Sequence, residues 1–124
     1  MTPEPSRIDD RLQAARRRLA RVAPEDLDAE VRAGALVVDL RPQADREADG
    51  ELPGAHVIER IHLEWRLDRT SGAALAEADD DRRVILVCNE GYASSLAAAD
   101  LQELGIARAT DLVGGYRAWK AAQG

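Results

Sequence analysis

Three features of this 124-residue chain predict an α/β fold, a mainly parallel sheet with helices on both faces. Two short apolar runs, ALVVDL at 35–40 and VILVC at 84–88, have the length and β-branched content of strands buried on both sides. Segments with helical spacing or helix-stop glycines lie before, between and after them. Strands alternating with helices connect most simply as parallel neighbours. The length suits one compact domain with a real core.

Taken in order, Ile8, Leu12, Ala15, Leu19 and Val22 recur at spacings of 4, 3, 4 and 3, one stripe of an amphipathic helix. Arg7, Arg11, Arg16, Arg17, Arg18 and Arg21 lie off that stripe. The stripe is expected to dock on its own domain; a homodimer through this helix is the alternative, and two heptads are short for a coiled coil. A membrane-surface role is disfavoured because the stripe has no Trp or Phe. Pro24 suits the first position of a second helix, with Glu25 and Asp26 in its first turn and Gly34 at its stop. After the strand at 35–40, Pro42 to Gly50 reads as a polar, turn-prone stretch, and LPGAHVIE at 52–59 as a tight turn and a short strand. GAALAEA at 72–78 reads as a short helix, DDDRR as a solvated turn, and VILVC as the next buried strand. Residues Leu96 to Leu104 form a helix capped by Gly105, ATDLV is a last short strand, and GGYRAWKAAQ turns into the final helix.

The net charge of −6 is uneven. The first 23 residues carry an excess of three positive charges, so the remainder is strongly acidic. An acidic body argues against a nucleic-acid partner. No apolar run approaches the roughly 20 residues that span a bilayer. The start shows no secretory signal pattern, and a single cysteine, Cys88, fits a reducing compartment. A cytoplasmic location is the expectation.

Cys88 ends its strand where α/β sheets place their ligands, at the carboxyl edge. Asn89, Glu90, Gly91, Tyr92 and Ala93 follow as a loop, and Ser94 opens a helix. Gly91 permits positive φ, so successive N–H groups can curl around one point, and the helix start adds its positive dipole end. Such a cradle favours a thiolate over a thiol. The plainer alternative is an inert cysteine at the buried end of a strand.

Four segments then meet a known family. VVDLRP (37–42), GELPGAHVI (50–58), CNEGYAS (88–94) and LVGGYRAW (112–119) resemble, in order and spacing, the motifs of rhodanese-like (sulfurtransferase) domains. The resemblance spans about residues 23 to 122 and divides the chain into an N-terminal helical extension (1–22) and a rhodanese-like domain (23–124). It implies a sheet of about five strands flanked by helices, and a Cys88 that takes sulfane sulfur from a donor such as thiosulfate or a persulfide. The sulfur would pass to a thiophilic acceptor: cyanide, a thiol or a protein thiol. Loop amides of Asn89 to Ser94 would hold the persulfide, and no metal or organic cofactor is implied. A non-catalytic interaction module is the second function class.

Departures from the family matter. Active members often carry Arg or Lys in the loop, whereas here Asn89, Tyr92 and Ala93 occupy those places and Glu90 adds negative charge. Glu90 is therefore expected to select against dianionic donors, with Tyr92 at the pocket mouth. Glu51 and Leu52 replace the family's His-Ile, and the N-terminal helix has no counterpart in the minimal domain. Arg41, beside Asp39 at another strand's end, either orders loops or binds donor; Arg66 and Arg69 are further candidates for the missing cation. Gly114 and Gly115 read as turn residues, Trp119 as a core anchor, and Trp65 as packed beside the domain. His56 and His62 read as turn or surface residues, and no metal-ligand spacing is visible. A cysteine phosphatase would need an arginine six positions after the cysteine, where this chain has Ser94.

Overall fold

The structure, a computed structural model, describes Glu4 and residues 6–124. Its sheet holds β1 (Leu36–Asp39), β2 (His56–Val57), β3 (Val84–Val87) and β4 (Ala109–Asp111) in the order β2-β1-β3-β4. Every pairing is parallel, with Leu36 opposite Val84 and Asp39 opposite Val87. The expected fifth strand is reduced to one bridge, Val22 to Leu112, because the chain around Val22 turns at once into the Pro24–Asp26 helical turn.

Alternation along the strands builds two cores, since successive side chains point to opposite faces. Leu36, Val38, Leu40, Val84 and Leu86 face Leu63, Leu67, Ala97, Ala98 and Leu101. Val37, Ile85 and Val87 face Val22, Leu27, Leu112 and Tyr116. Helices α4 (Leu63–Leu67) and α5 (Ala93–Glu103) thus cover one face, and α2 (Leu27–Arg32) and α6 (Gly115–Ala122) the other. All four residues of β1 and of β3 are buried, which explains their unbroken apolar character.

Helix α1 (Arg7–Arg16) starts at Ser6, whose Oγ accepts the Asp9 N–H at 3.3 Å, with acidic Asp9 and Asp10 in the first turn. It packs on α5 and buries Leu12 and Ala15, while Ile8 stays exposed; the helix ends at Arg16, short of the Leu19 and Val22 expected to continue its stripe, and Val22 is buried instead in the bridge to Leu112. Three local expectations are corrected. The stretch after Pro42 is a helix, α3 (Gln43–Asp49), without a buried residue. Residues 72–78 are turns, because Ser71 Oγ accepts the Ala73 N–H at 3.0 Å in place of a helical bond. Trp65 lies on α4 and is 61% exposed instead of packed. Trp119 does pack against the second core, 5.6 Å from the Tyr116 ring. Among the described residues no helix is long and apolar enough to cross a membrane, and no cluster of His, Cys, Asp or Glu could hold a metal.

Candidate active site

The parallel register brings the carboxyl ends of β1, β2 and β3 to one edge, and a pocket of about 320 Å³ opens there. Leu40, Arg41 and Pro42 after β1, Arg60 after β2, and Cys88, Asn89, Glu90, Tyr92 and Ala93 after β3 line it, together with Asp45 of α3. The half-buried Cys88 Sγ accepts the Gly91 N–H at 3.2 Å and the Ser94 N–H at 3.4 Å. Gly91 has φ +84°, and a Cβ there would meet the Gly114 nitrogen at 2.9 Å, so both the turn and the close approach require glycine. Of the loop amides from Asn89 to Ser94, those of Gly91 and Ser94 point at the sulfur.

Behind the sulfur lies a polar network. Cys88 donates to Ser94 Oγ at 3.2 Å, and Ser94 and Ser95 each donate to Asp111 Oδ2 at 2.7 Å. Asp111 closes β4, is fully buried, and pairs with Arg21 through Nε at 2.8 Å. The sequence reading set Asp111 in the middle of the strand ATDLV and nothing flagged it; β4 ends at Asp111 and so turns this carboxylate toward the site.

Arg41 is buried and engaged with its own strand. Its Nε and Nη2 donate to Asp39 at 2.8–3.2 Å, Nη2 also donates to the Gly50 carbonyl, and the guanidinium lies 3.6 Å over the Tyr116 ring. Its Nη1 is buried without a partner among the described residues, as is Asn89 Oδ1; Asn89 Nδ2 donates to Asp45 at 3.2 Å. Asp39 thus supports Arg41, and Gly114 and Gly115 turn the chain into α6, whose Tyr116 and Arg117 N–H groups donate to the Cys88 and Asn89 carbonyls at 2.8 and 3.1 Å.

The candidate cations are placed differently from one another. Arg66 donates to the Ala73 carbonyl and Arg69 to Asp80, and neither lines the pocket. Arg60 does, from the turn after β2, while bound to Glu64 at 2.7 Å and Asp100 at 3.0 Å. The carboxyl-end rule that located Cys88 could have located Arg60 as well. Glu90 reaches outward, pairing with Arg117 at 3.1 Å with its side chain 56% exposed. His56 pairs with Glu77 at 3.4 Å, away from the sulfur, and His62 is exposed outside the pocket.

Comparison with known proteins supplies the family. The model of the rhodanese-like domain matches residues 23–122. The chain belongs to the rhodanese-like family. A thiosulfate sulfurtransferase GlpE of Pseudomonas putida is 34% identical over 103 residues, covering 82% of this chain and 84% of that protein. Its counterpart from Pseudomonas savastanoi pv. phaseolicola is 29% identical over 101 residues, covering 82% and 87%. Among solved structures, the human single-domain sulfurtransferase TSTD1 is similar at TM-score 0.66 and 26% identity, over 82% of this chain and 95% of that one. A protein of unknown function from Rhodopseudomonas palustris, described as a possible tyrosine phosphatase, is similar over 100% of this chain and 98% of its own, at TM-score 0.84 and 28% identity. That likeness includes the segment before residue 23, which the rhodanese-like family model does not cover.

Proposed function

We propose that this rhodanese-like chain is a sulfurtransferase in which Cys88 carries sulfane sulfur as a persulfide. The observation that carries the reading is a sulfur atom holding two backbone N–H donors at the floor of a pocket on the carboxyl edge of the sheet. The Cys88 thiolate attacks the outer sulfur of a donor; a Cys88 S–S bond forms and the donor's S–S bond breaks. The leaving group takes the electron pair, as sulfite when the donor is thiosulfate. A thiophilic acceptor such as cyanide, a thiol or a protein thiol then attacks the outer sulfur and releases the thiolate. The cycle balances without an external oxidant, metal or organic cofactor, and the anionic persulfide needs the cradle of amides that the loop provides. A cytoplasmic setting agrees with a single free cysteine.

The loop residues Asn89 to Ser94 form the wall of the sulfur site, and Tyr92, 58% exposed, stands at its mouth. Arg60, held by Glu64 and Asp100, is the partly exposed cation that lines the pocket beside the buried Arg41, and it is the one offered to a donor. A phosphatase is disfavoured because Ser94 takes the place of the arginine that would clamp a phosphoryl group.

The decisive test is intact-protein mass spectrometry after incubation with thiosulfate and, separately, with a low-molecular-weight persulfide, beside a Cys88→Ser control. One added sulfur atom, removed by cyanide and absent in the control, is expected. A folded protein that gains sulfur from neither donor would overturn the reading in favour of a non-catalytic module. Donor choice is expected to follow Arg60 more than Glu90. Arg60→Gln should raise KM for thiosulfate by about fivefold to tenfold with kcat nearly kept, since it removes attraction common to ground and transition states. Glu90→Arg should shift thiosulfate turnover by less than about threefold, because Glu90 is solvated and already faces Arg117. A large gain from Glu90→Arg would restore the selective role that the sequence alone assigned to Glu90.

A further inference from the structure

The segment preceding the family match ends on the active loop. Arg16, the last residue of α1, donates from Nη2 to the Gly91 carbonyl at 2.8 Å and from Nε to Ser95 Oγ at 3.2 Å. Arg21 donates from Nη2 to the same carbonyl at 3.1 Å, while its Nε and Nη2 hold Asp111 at 2.8 and 3.2 Å. Ser95 Oγ gives its single hydrogen to Asp111 at 2.7 Å and accepts from Arg16, which ties Arg16 to the same carboxylate network. Two guanidinium groups therefore converge on one peptide oxygen of the loop, and charge-assisted bonds are the stronger kind. Arg16 also lies 5.4 Å over the Tyr92 ring.

The geometry has a consequence for the sulfur. The peptide joining Gly91 to Tyr92 is trans, so its N–H points opposite to its C=O. Holding the carbonyl against the two arginines fixes the Tyr92 N–H on the opposite side of the loop. Glycine at φ +84° has little conformational preference of its own to keep the turn in this shape. The same residue's N–H is one of the two donors to Cys88 Sγ. Arg21 acts at a second point, since Asp111 is fully buried and Arg21 is the cation that balances it. With Asp111 held by Arg21, the single Ser94 hydrogen is committed to Oδ2 at 2.7 Å; Ser94 Oγ accepts from the resting thiol, and the donors to an anionic sulfur are the Gly91 and Ser94 N–H groups that the loop's shape presents.

We propose that Arg16 and Arg21 are positioning residues for sulfur transfer: the N-terminal segment clamps the Gly91 carbonyl and Asp111 and so holds the loop in its sulfur-cradling shape. The extension is thereby part of the sulfur site. This inference rests on the persulfide reading for its kinetic consequence but not for its structural one.

The test compares Arg16→Ala, Arg21→Gln and their combination with Arg18→Ala, a control on the same segment whose side chain pairs with Glu103 at the surface. Amide hydrogen exchange of residues 88–95 reads the clamp without any sulfur chemistry. It should rise by about tenfold or more in the double variant, with β3 and the later turns of α5 unchanged. In the thiosulfate-to-cyanide assay kcat should fall by about tenfold or more with KM within about threefold, because loop shape matters most when sulfur is transferred. Arg16→Ala, which leaves Asp111 its partner, should show the same pattern more weakly and keeps the proposal testable if the double variant folds poorly. Native exchange and kcat in the double variant, or faster exchange spread across the whole core, would overturn the clamp. Should the parent protein carry no sulfur at all, the persulfide reading fails by itself, and loop exchange alone decides the clamp.

Discussion

Arg41→Met should cost this protein about 3–5 kcal/mol of stability, the range expected when one partner of a buried ion pair is removed. The pair is fully enclosed, with side-chain exposures of 0% for Arg41 and 1% for Asp39. Removing the guanidinium strands a carboxylate that, among the described residues, still accepts only the Arg41 backbone N–H at 2.9 Å, and frees the Gly50 carbonyl and the Tyr116 face from their cation. For a domain of this size the loss corresponds to roughly 10–20 °C in Tm. Asp39→Asn with Arg41→Met should lose less than the two single changes added together, because the second change removes the orphan created by the first. Chemical denaturation of the four proteins measures this coupling. A single-variant loss below about 1 kcal/mol would mean that water or a neighbouring group satisfies Asp39 as well as the arginine does. Sulfur loading, read in the same variants at a temperature where all are folded, separates the two roles of Arg41. Loading lost beyond the loss of fold would give Nη1, buried and unpartnered beside the pocket, a part in holding donor.

That pair was readable as a motif, and the reason shows what a sequence exposes. Asp39 and Arg41 are two residues apart on one strand end, as Cys88, Gly91 and Ser94 are within one strand-end, loop and helix start, so local spacing carries their geometry. The strands were equally legible: β1 and β3 are buried on both faces and therefore apolar without interruption. Helix α3 was not, because no residue of it is buried and no apolar stripe exists to reveal its period. It forms from local polar contacts, Gln43 to Glu47 at 2.8 Å and Arg46 to the Arg41 carbonyl at 3.4 Å. The turns at 72–78 failed in the opposite sense: alanines and Leu75 look helical, but Asp68 and Ser71 side chains capture the Thr70 and Ala73 amides first. Arg16, Arg21, Arg60 and Asp111 meet the loop only through tertiary folding. Seventy or more residues separate Arg16 and Arg21 from Gly91, a distance over which no spacing rule operates.

The other large effect is expected from Gly115→Ala, and it links the turn after β4 to the sulfur. Gly115 has φ +65°, and a Cβ there would overlap the Cys88 carbonyl oxygen and reach the Asn89 carbonyl carbon and oxygen at 2.7 Å. These are backbone atoms tied to the same helix: Cys88 O accepts the Tyr116 N–H at 2.8 Å and Asn89 O the Arg117 N–H at 3.1 Å. No flexible side chain is available to move aside, so either α6 lifts or the active loop shifts. Gly54→Ala supplies the comparison, since its φ of +78° carries the same left-handed penalty with nothing within 4 Å of the added carbon. Gly54→Ala should therefore cost about 1 kcal/mol and leave sulfur loading intact. Gly115→Ala should cost about 3 kcal/mol or more and slow sulfur loading at least about tenfold under conditions where it remains folded. Denaturation midpoints and the rate of sulfur gain by mass spectrometry measure the two effects side by side. Equal behaviour of the two variants would show that the loop yields to the turn at little cost. A selective loss in Gly115→Ala would make the approach of α6 to the Cys88 carbonyl the rear wall that fixes where the sulfur stands.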